Sequence, residues 1–442
     1  MRIKLSDHFT LKRLLKFVFP SIIMMIIISI YGVIDGFFVS NYVGKSAFSS
    51  LNLVMHFIMI LGGMGFMIGT GGSALVSKTL GQKENEKANK IFSMMIVFTT
   101  ILGLILSIIG IIFIRPVSYL LGASDEMIDN CVLYGRIVTS FTALFMLQNV
   151  FQSFLATAEK PKIGLIVTIA AGTTNAVLDY LFVAVFNFGL AGAAVATGIG
   201  QVVGGLIPLI YFIFPNDSLL KLVKTKLSIK ELLAACANGS SELMSNVSSS
   251  IVGMVYNLQL MKYIGEDGVA TYGVLMYVQF VFVAIFIGYS IGTAPIVGYN
   301  YGAANYDELK NVRKKSIAIM FTSGITLSII AQLLAGTLAK IFVGYDQNLY
   351  VLTVHAFRIF SFAFILTGFN IFSSSFFTAL NNGAISALIA FLRTLVFQLG
   401  SVIMLPLIIS VDGIWLAICV AEVFATAISL FFMITKQKVY HY

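Results

Sequence analysis

Twelve apolar runs follow one another along the chain with little between them, at roughly 14–40, 51–77, 91–114, 127–155, 163–186, 190–213, 232–261, 268–296, 316–342, 350–379, 384–409 and 413–434. A helix crossing a hydrocarbon core takes about 20 apolar residues. In lipid every backbone polar group must be satisfied within the segment, so such runs fold as helices. The expectation is an all-α polytopic membrane protein of twelve transmembrane helices. The longer runs imply tilt or kinks, and Pro20, Pro208, Pro295 and Pro406 lie near span ends, where irregularity is cheapest. With 58% hydrophobic and 11% charged residues and a mean hydropathy of +0.95, the chain has too little charge for a soluble fold. The first run is too long for a signal peptide and is followed by further spans.

Lys and Arg set the expected orientation. With the N-terminus inside, the cytoplasmic segments hold 21 of the 28 basic residues, in the arm Arg2–Lys16, at Lys78–Lys90, Lys160 and Lys162, Lys221–Lys230, Lys310–Lys315, and Lys436 with Lys438. The opposite side holds only Lys45, Arg115, Lys262 and Lys340. This is a strong positive-inside bias, placing both termini in the cytoplasm and the chain in the plasma or inner membrane. The net charge of +9 then follows from topology, and no nucleic-acid partner is implied.

The two halves repeat. Tyr42-Val43-Gly44 matches Tyr263-Ile264-Gly265, 221 residues later; Ile68-Gly69-Thr70 matches Ile291-Gly292-Thr293; Gly81 matches Gly302, and Gly192 with Ala196 matches Gly413 with Ala417. Ordered matches at a near-constant offset point to duplication. Six spans per repeat give both halves the same orientation, related by a pseudo-two-fold axis along the membrane normal. The expected organisation is an amino-terminal lobe over 1–215, a basic linker over 216–230 and a carboxy-terminal lobe over 231–442. No polar stretch is long enough for a built-in ATPase. Gly44-Lys45-Ser46 imitates the end of a phosphate loop, but Val39 stands where its first glycine belongs. Cys131, Cys236 and Cys419 lie far apart in apolar runs and suggest neither disulfides nor a metal site.

The chemistry concentrates in Thr173–Phe182, TTNAVLDYLF. Asn175 and Asp179, four residues apart, share one helical face, and a second acid, Asp35, lies in the first span. Intramembrane acids are costly and mark functional sites by default; a hydrogen-bonded structural acid at a helix contact is the alternative. Enclosed together, two such carboxylates hold a coupling cation, since desolvation and like charge raise their affinity for a proton. Glu242, in the polar run NGSSELMSN, either lines a central cavity or caps an irregular part of its span. Arg136, Arg358 and Arg393 either pair with acids or snorkel, with Arg393 the candidate for a cavity-facing charge. Gly62, Gly63, Gly65, Gly69, Gly71 and Gly72 allow close packing or bending of the second span. Of the 18 Met, Met55, Met59, Met64, Met254 and Met276 are candidates for a pliable cavity wall.

Taken in order, VIDGFFVSNYVG, GTGGSALVSKTLGQKENEKA, NAVLDYLFV, FGLAGAAVAT and VDGIWLA make the whole chain resemble the multidrug and toxic compound extrusion (MATE) family of the wider multidrug/oligosaccharidyl-lipid/polysaccharide exporter superfamily. The resemblance implies cation-coupled antiport, with organic and often cationic compounds exported against H⁺ or Na⁺ by alternating access. It implies an amino-lobe cation site at Asp35, Asn175, Asp179 and Thr197, with the Ala193 carbonyl; these side chains would be the Na⁺ ligands if Na⁺ is the ion. It places Tyr31, Tyr134, Asn149 and Gln152 in the substrate cavity, beside Glu242, Asn370 and Arg393. One branch of the family couples through an acid in span seven and an aspartate in span ten; Glu242 is retained here, but GFNIFSSS of span ten offers only Asn370. The expected partners are small organic substrates and the bilayer, with the chain a monomer and no cofactor beyond the coupling ion. The alternative is a flippase for lipid-linked precursors, which would want several basic residues facing the cavity. HExxH is absent and the four His are dispersed, so no enzyme is expected.

Overall fold

The computed structural model describes residues 3–442; Met1 and Arg2, the latter counted in the basic arm above, lie outside the described residues, as does the side chain of Lys45. Among the described residues every regular element is helical. Ten helices are long and apolar enough to cross a membrane, and a bent pair makes an eleventh crossing. Ile229–Tyr263 supplies the twelfth; at 35 residues it is long enough, but its NGSSELMSN run leaves it less apolar than the rest.

In chain order the helices are α1 (Leu11–Val43), α2 (Ser46–Gly81), α3 (Asn85–Leu120), α4 (Ile128–Ser140 with Thr142–Thr157), α5 (Pro161–Val185) and α6 (Gly189–Ile213). These are followed by α7 (Ile229–Tyr263), then α8 (Glu266–Gly302), α9 (Tyr306–Val343), α10 (Gln347–Ala379), α11 (Gly383–Ile409) and α12 (Val411–Thr435). Helices α1–α6 form one lobe and α7–α12 the other. Between α6 and α7 the chain runs without helix along α3, where Lys221 N donates to Asn89 Oδ1 at 3.0 Å and Val223 N to Ser93 Oγ at 2.8 Å.

The prolines do not break the helices as expected. Pro20, Pro208 and Pro295 lie inside continuous helices, and Pro406 opens the last turn of α11. The sharp bend, 55°, is at Phe141 in α4. Around it Thr139 Oγ1 donates to the Gly135 carbonyl, Ser140 Oγ to that of Arg136 and Thr142 Oγ1 to that of Thr139, at 2.6–2.8 Å. Hydroxyls bonded back to the preceding turn bend helices. Wider π-turns end α1 (Val39–Val43) and α5 (Tyr180–Val185) and interrupt α11 (Leu392–Gln398).

Two reciprocal contacts join the lobes: α1 packs on α8, and α7 on α2. Exchanging the lobes maps one contact onto the other, as an axis along the membrane normal requires. The glycines of α2 serve close packing, for α2 is one unbroken helix. A Cβ on Gly71 would overlap the Ala235 carbonyl of α7, one on Gly81 the Tyr299 carbonyl of α8, and one on Gly302 the Lys78 carbonyl. Gly65 meets Met146 and Gly69 meets Val150 of α4 in the same way. The close interlobe approaches lie in the half of the bundle that carries both termini. Toward the other end, Gly32, Gly253 and Gly273 have no neighbour where a Cβ would sit.

Residues 3–10 lie across this packed end. Leu5 and Phe9 are buried; Leu5 N donates to Glu159 Oε1 at 2.8 Å in the first lobe, and Phe9 N to Glu308 Oε1 at 2.9 Å in the second. The last residue, Tyr442, is also buried, under the Arg313 guanidinium at 4.8 Å. Burial pushes its phenol well above the ordinary tyrosine range, and the Arg313 charge offsets part of that.

Candidate functional site

The sequence puts an acid just before the π-turn of α1 and another just before that of α5. Asp35 is 6% exposed and Asp179 fully buried. A π-turn inserts one extra residue and rotates the face that follows it, a device common at functional sites. Packing of α1 on α5 and of α5 on α6 brings Asp35 into electrostatic range of Asp179. Tyr134 of α4, also fully buried, lies within range of both acids and beside Thr197 of α6. Ala193, one turn before Thr197, is buried in the same region.

Asn175 approaches Asp179 from one turn earlier, yet the two do not meet in hydrogen-bond geometry. Both Asp179 oxygens, Asp35 Oδ1, Asn175 Nδ2 and Thr197 Oγ1 are buried without a hydrogen-bonding partner. A buried polar atom left unpaired costs about 1–3 kcal/mol, more when charged. Carboxylate and hydroxyl oxygens gathered like this fit a small hard cation or a proton. Among the described residues no group of three or more His, Cys, Asp or Glu forms a denser metal-binding cluster.

The other expected cavity residues are dispersed. Tyr31 donates from its hydroxyl to the Ile169 carbonyl at 3.3 Å and lays its ring over Gly172. Asn149 is spent on the Gly62 carbonyl at 3.2 Å, joining α4 to α2. Gln152 is buried, one turn further along α4. Glu242 is half-buried on α7, next to Leu243, which packs near Gly63 of α2 at the lobe interface. Met59 and Met254 are exposed, while Met55 accepts a long contact from the Tyr134 hydroxyl at 4.0 Å.

Arg393 and Asn370 meet inside the second lobe, Arg393 as the ion-pair partner that is one of its two readings. Arg393 is not a free cavity charge: Nε and Nη2 donate to Glu422 Oε1 at 2.9 and 2.7 Å, and Nε also reaches Oε2 at 3.2 Å. Asn370, fully buried, donates to Glu422 Oε2 at 2.6 Å and to Thr426 Oγ1 at 3.1 Å. The π-turn of α11 carries Arg393 onto the face that meets α12. Gln201, which sequence reasoning passed over, lies one turn after Thr197, is buried and has Oε1 unpaired; its spacing from Ala193 and Thr197 was the available signal.

The family model described as MatE matches residues 20–181 and 243–403. The Multidrug export protein MepA of Staphylococcus haemolyticus (strain JCSC1435) is 25% identical over 435 residues, covering 97% of this chain and 94% of that protein. Its namesake in Staphylococcus saprophyticus is 27% identical over 326 residues, 71% of this chain and 72% of that one. Among solved structures, a MATE in complex with MaL6 superposes with a TM-score of 0.93 at 21% identity, covering 98% of both chains. The outward-facing conformation of a multidrug resistance MATE family transporter superposes with a TM-score of 0.92 at 21% identity, over 98% of this chain and 97% of that one. At that identity the likeness is one of fold.

Proposed function

This chain belongs to the MatE family, and on that premise we propose that it exports small organic compounds, cationic ones among them, in exchange for H⁺ or Na⁺. The observation that carries the reading is the Asp35–Asp179 pair, buried in one lobe with oxygens unpaired. A cation or proton between the carboxylates stabilises the lobe form that encloses them. Antiport follows if ion and substrate favour different states of that lobe, since a ligand shifts an equilibrium only by its differential affinity.

Asp35 and Asp179 carry the coupling charge, and Asn175, Thr197 and the Ala193 carbonyl complete the ligand set. The positive-inside bias assigns the packed, terminus-bearing end to the cytoplasm. The export of drugs attributed by name to the MepA relatives supports the substrate class. The engagement of Arg393 by Glu422 favours export of cations over a flippase, which would offer that guanidinium to an anionic headgroup.

The test is efflux of a fluorescent cationic dye under a Na⁺ gradient and a proton gradient separately. Wild-type efflux under one gradient names the ion, and Asp35→Asn and Asp179→Asn abolish it while still reaching the membrane. Full activity in both variants moves the coupling site elsewhere, with Glu242 next to be tested.

A further inference from the structure

From the acid pair toward the terminus-bearing end, the interior of the first lobe stays polar for further turns of three helices. On α6, Gln201 follows Thr197 by four residues and so shares its face; it is 8% exposed, and its Oε1 has no partner. On α4, Gln152 is 5% exposed with Oε1 likewise unpaired, and Gln148 lies one turn before it. On α5, Thr168 stands two turns before Asn175, also on the same side. Glycines let these side chains meet: a Cβ on Gly200 would press on Asn175 at 3.1 Å, and one on Gly204 would collide with the Gln148 carboxamide. Gln148, Gln152 and Thr168 enclose a small cavity, closed by Met24 of α1 and Pro208 of α6. It has room for about one water molecule, and no basic side chain lines it.

Apolar side chains would fill the centre of a membrane lobe at less cost. Buried carboxamide oxygens are tolerated where ordered water completes their hydrogen bonds. We propose that this polar column is a proton path, running inside the first lobe from the Asp35–Asp179 pair to the terminus-bearing end and separate from the substrate cleft between the lobes. The proposal rests on the reading that the acid pair holds the coupling ion, and it names that ion as H⁺. A carboxyl of the pair gives its proton to an adjacent water; each water then accepts one proton and passes on another, so the column is unchanged after transfer. The glutamines and Thr168 orient the waters. Na⁺ needs several oxygen ligands at once, which a chamber for one water does not supply. Such a path lets the proton leave toward the end where the lobes are packed, without parting them.

The test uses the full-length protein in phosphatidylethanolamine–phosphatidylglycerol vesicles containing a pH-sensitive dye, with ethidium as the transported cation. Gln148→Leu and Gln201→Leu are expected to bind ethidium as wild type does, while ethidium-driven proton flux falls to that of protein-free vesicles. Gln148→Ser, which restores room and a hydroxyl for water, recovers the flux. Wild-type flux in both leucine variants overturns the path. So does loss of ethidium binding together with flux, which makes the glutamines supports of the substrate site. Where a leucine variant does not fold, the more pliable methionine takes its place. Asp35→Asn is the separate control: if it keeps ethidium-driven flux, the coupling reading itself fails, whatever the glutamines do.

Discussion

Gly71 of α2 and Gly239 of α7 meet backbone to backbone: a Cβ on Gly71 would overlap the Ala235 carbonyl, and one on Gly239 the Met67 carbonyl. Neither obstacle is a flexible side-chain tip, so a larger residue here must push the lobes apart. Overpacking of this kind costs about 1–3 kcal/mol, enough to shift a two-state equilibrium by about 5–150-fold. Gly71→Leu or Gly239→Val is therefore expected to open the terminus-bearing end. Spin labels at the exposed positions Lys87 and Lys314, one on each lobe, would report a longer and broader distance distribution. An unchanged distribution would mean that these glycines do not set the closed state.

Asp35→Asn and Asp179→Asn keep the shape of the side chain and remove its charge. A structural acid held by donors loses stability on such a change. Here both Asp179 oxygens and Asp35 Oδ1 lack partners, and an uncompensated buried charge is itself destabilising. Driven efflux is expected to vanish while the thermal unfolding midpoint in detergent stays level or rises. A midpoint lowered by several degrees would return the acids to a structural role.

The helices were legible because lipid leaves the chain almost no other way to satisfy its backbone. The polar seventh helix was recognisable by length and by its place in the repeat. The kink expected of a long run falls in α4 at no proline; Thr139, Ser140 and Thr142 carried the signal. Within the site, the Asn175–Asp179 spacing is a property of one helix and could be read directly. The approach of Asp35 to Asp179 depends on how α1 packs on α5, which no local pattern encodes; the family resemblance supplied it. Which acid pairs with Arg393 was hidden for a related reason: the π-turn Leu392–Gln398 rotates the face it presents, and its partner Glu422 lies on another helix.

Glu308 ties the first residues of the chain to the second lobe. Its carboxylate accepts from Phe9 N at 2.9 Å, from Asn311 Nδ2 at 2.8 Å and lies 2.6 Å from His8 Nδ1. Glu308→Ala strands the buried Phe9 N, at a cost of about 1–3 kcal/mol, while Asn311 Nδ2 keeps the Phe9 carbonyl at 3.1 Å. The expected result is faster proteolysis near Lys12 and Arg13 and weaker protection of the packed end. Cleavage at the wild-type rate would show that burial of Leu5 and Phe9 alone holds the segment.

Arg393 and Glu422 separate a structural ion pair from a coupling site. Glu422 is 3% exposed, and its oxygens are saturated by Arg393 and Asn370. Removing one member strands the other: Arg393→Met or Glu422→Leu alone is expected to destabilise by about 3–5 kcal/mol. Replacing both removes the charges together, and an apolar pair of similar volume is often neutral or stabilising. The double variant Arg393→Met/Glu422→Leu should therefore regain much of the lost unfolding midpoint and keep dye efflux under the wild-type gradient. Recovery of the midpoint without recovery of efflux would show that this lobe's charges take part in transport, and the coupling assigned to Asp35 and Asp179 would then be shared between the lobes.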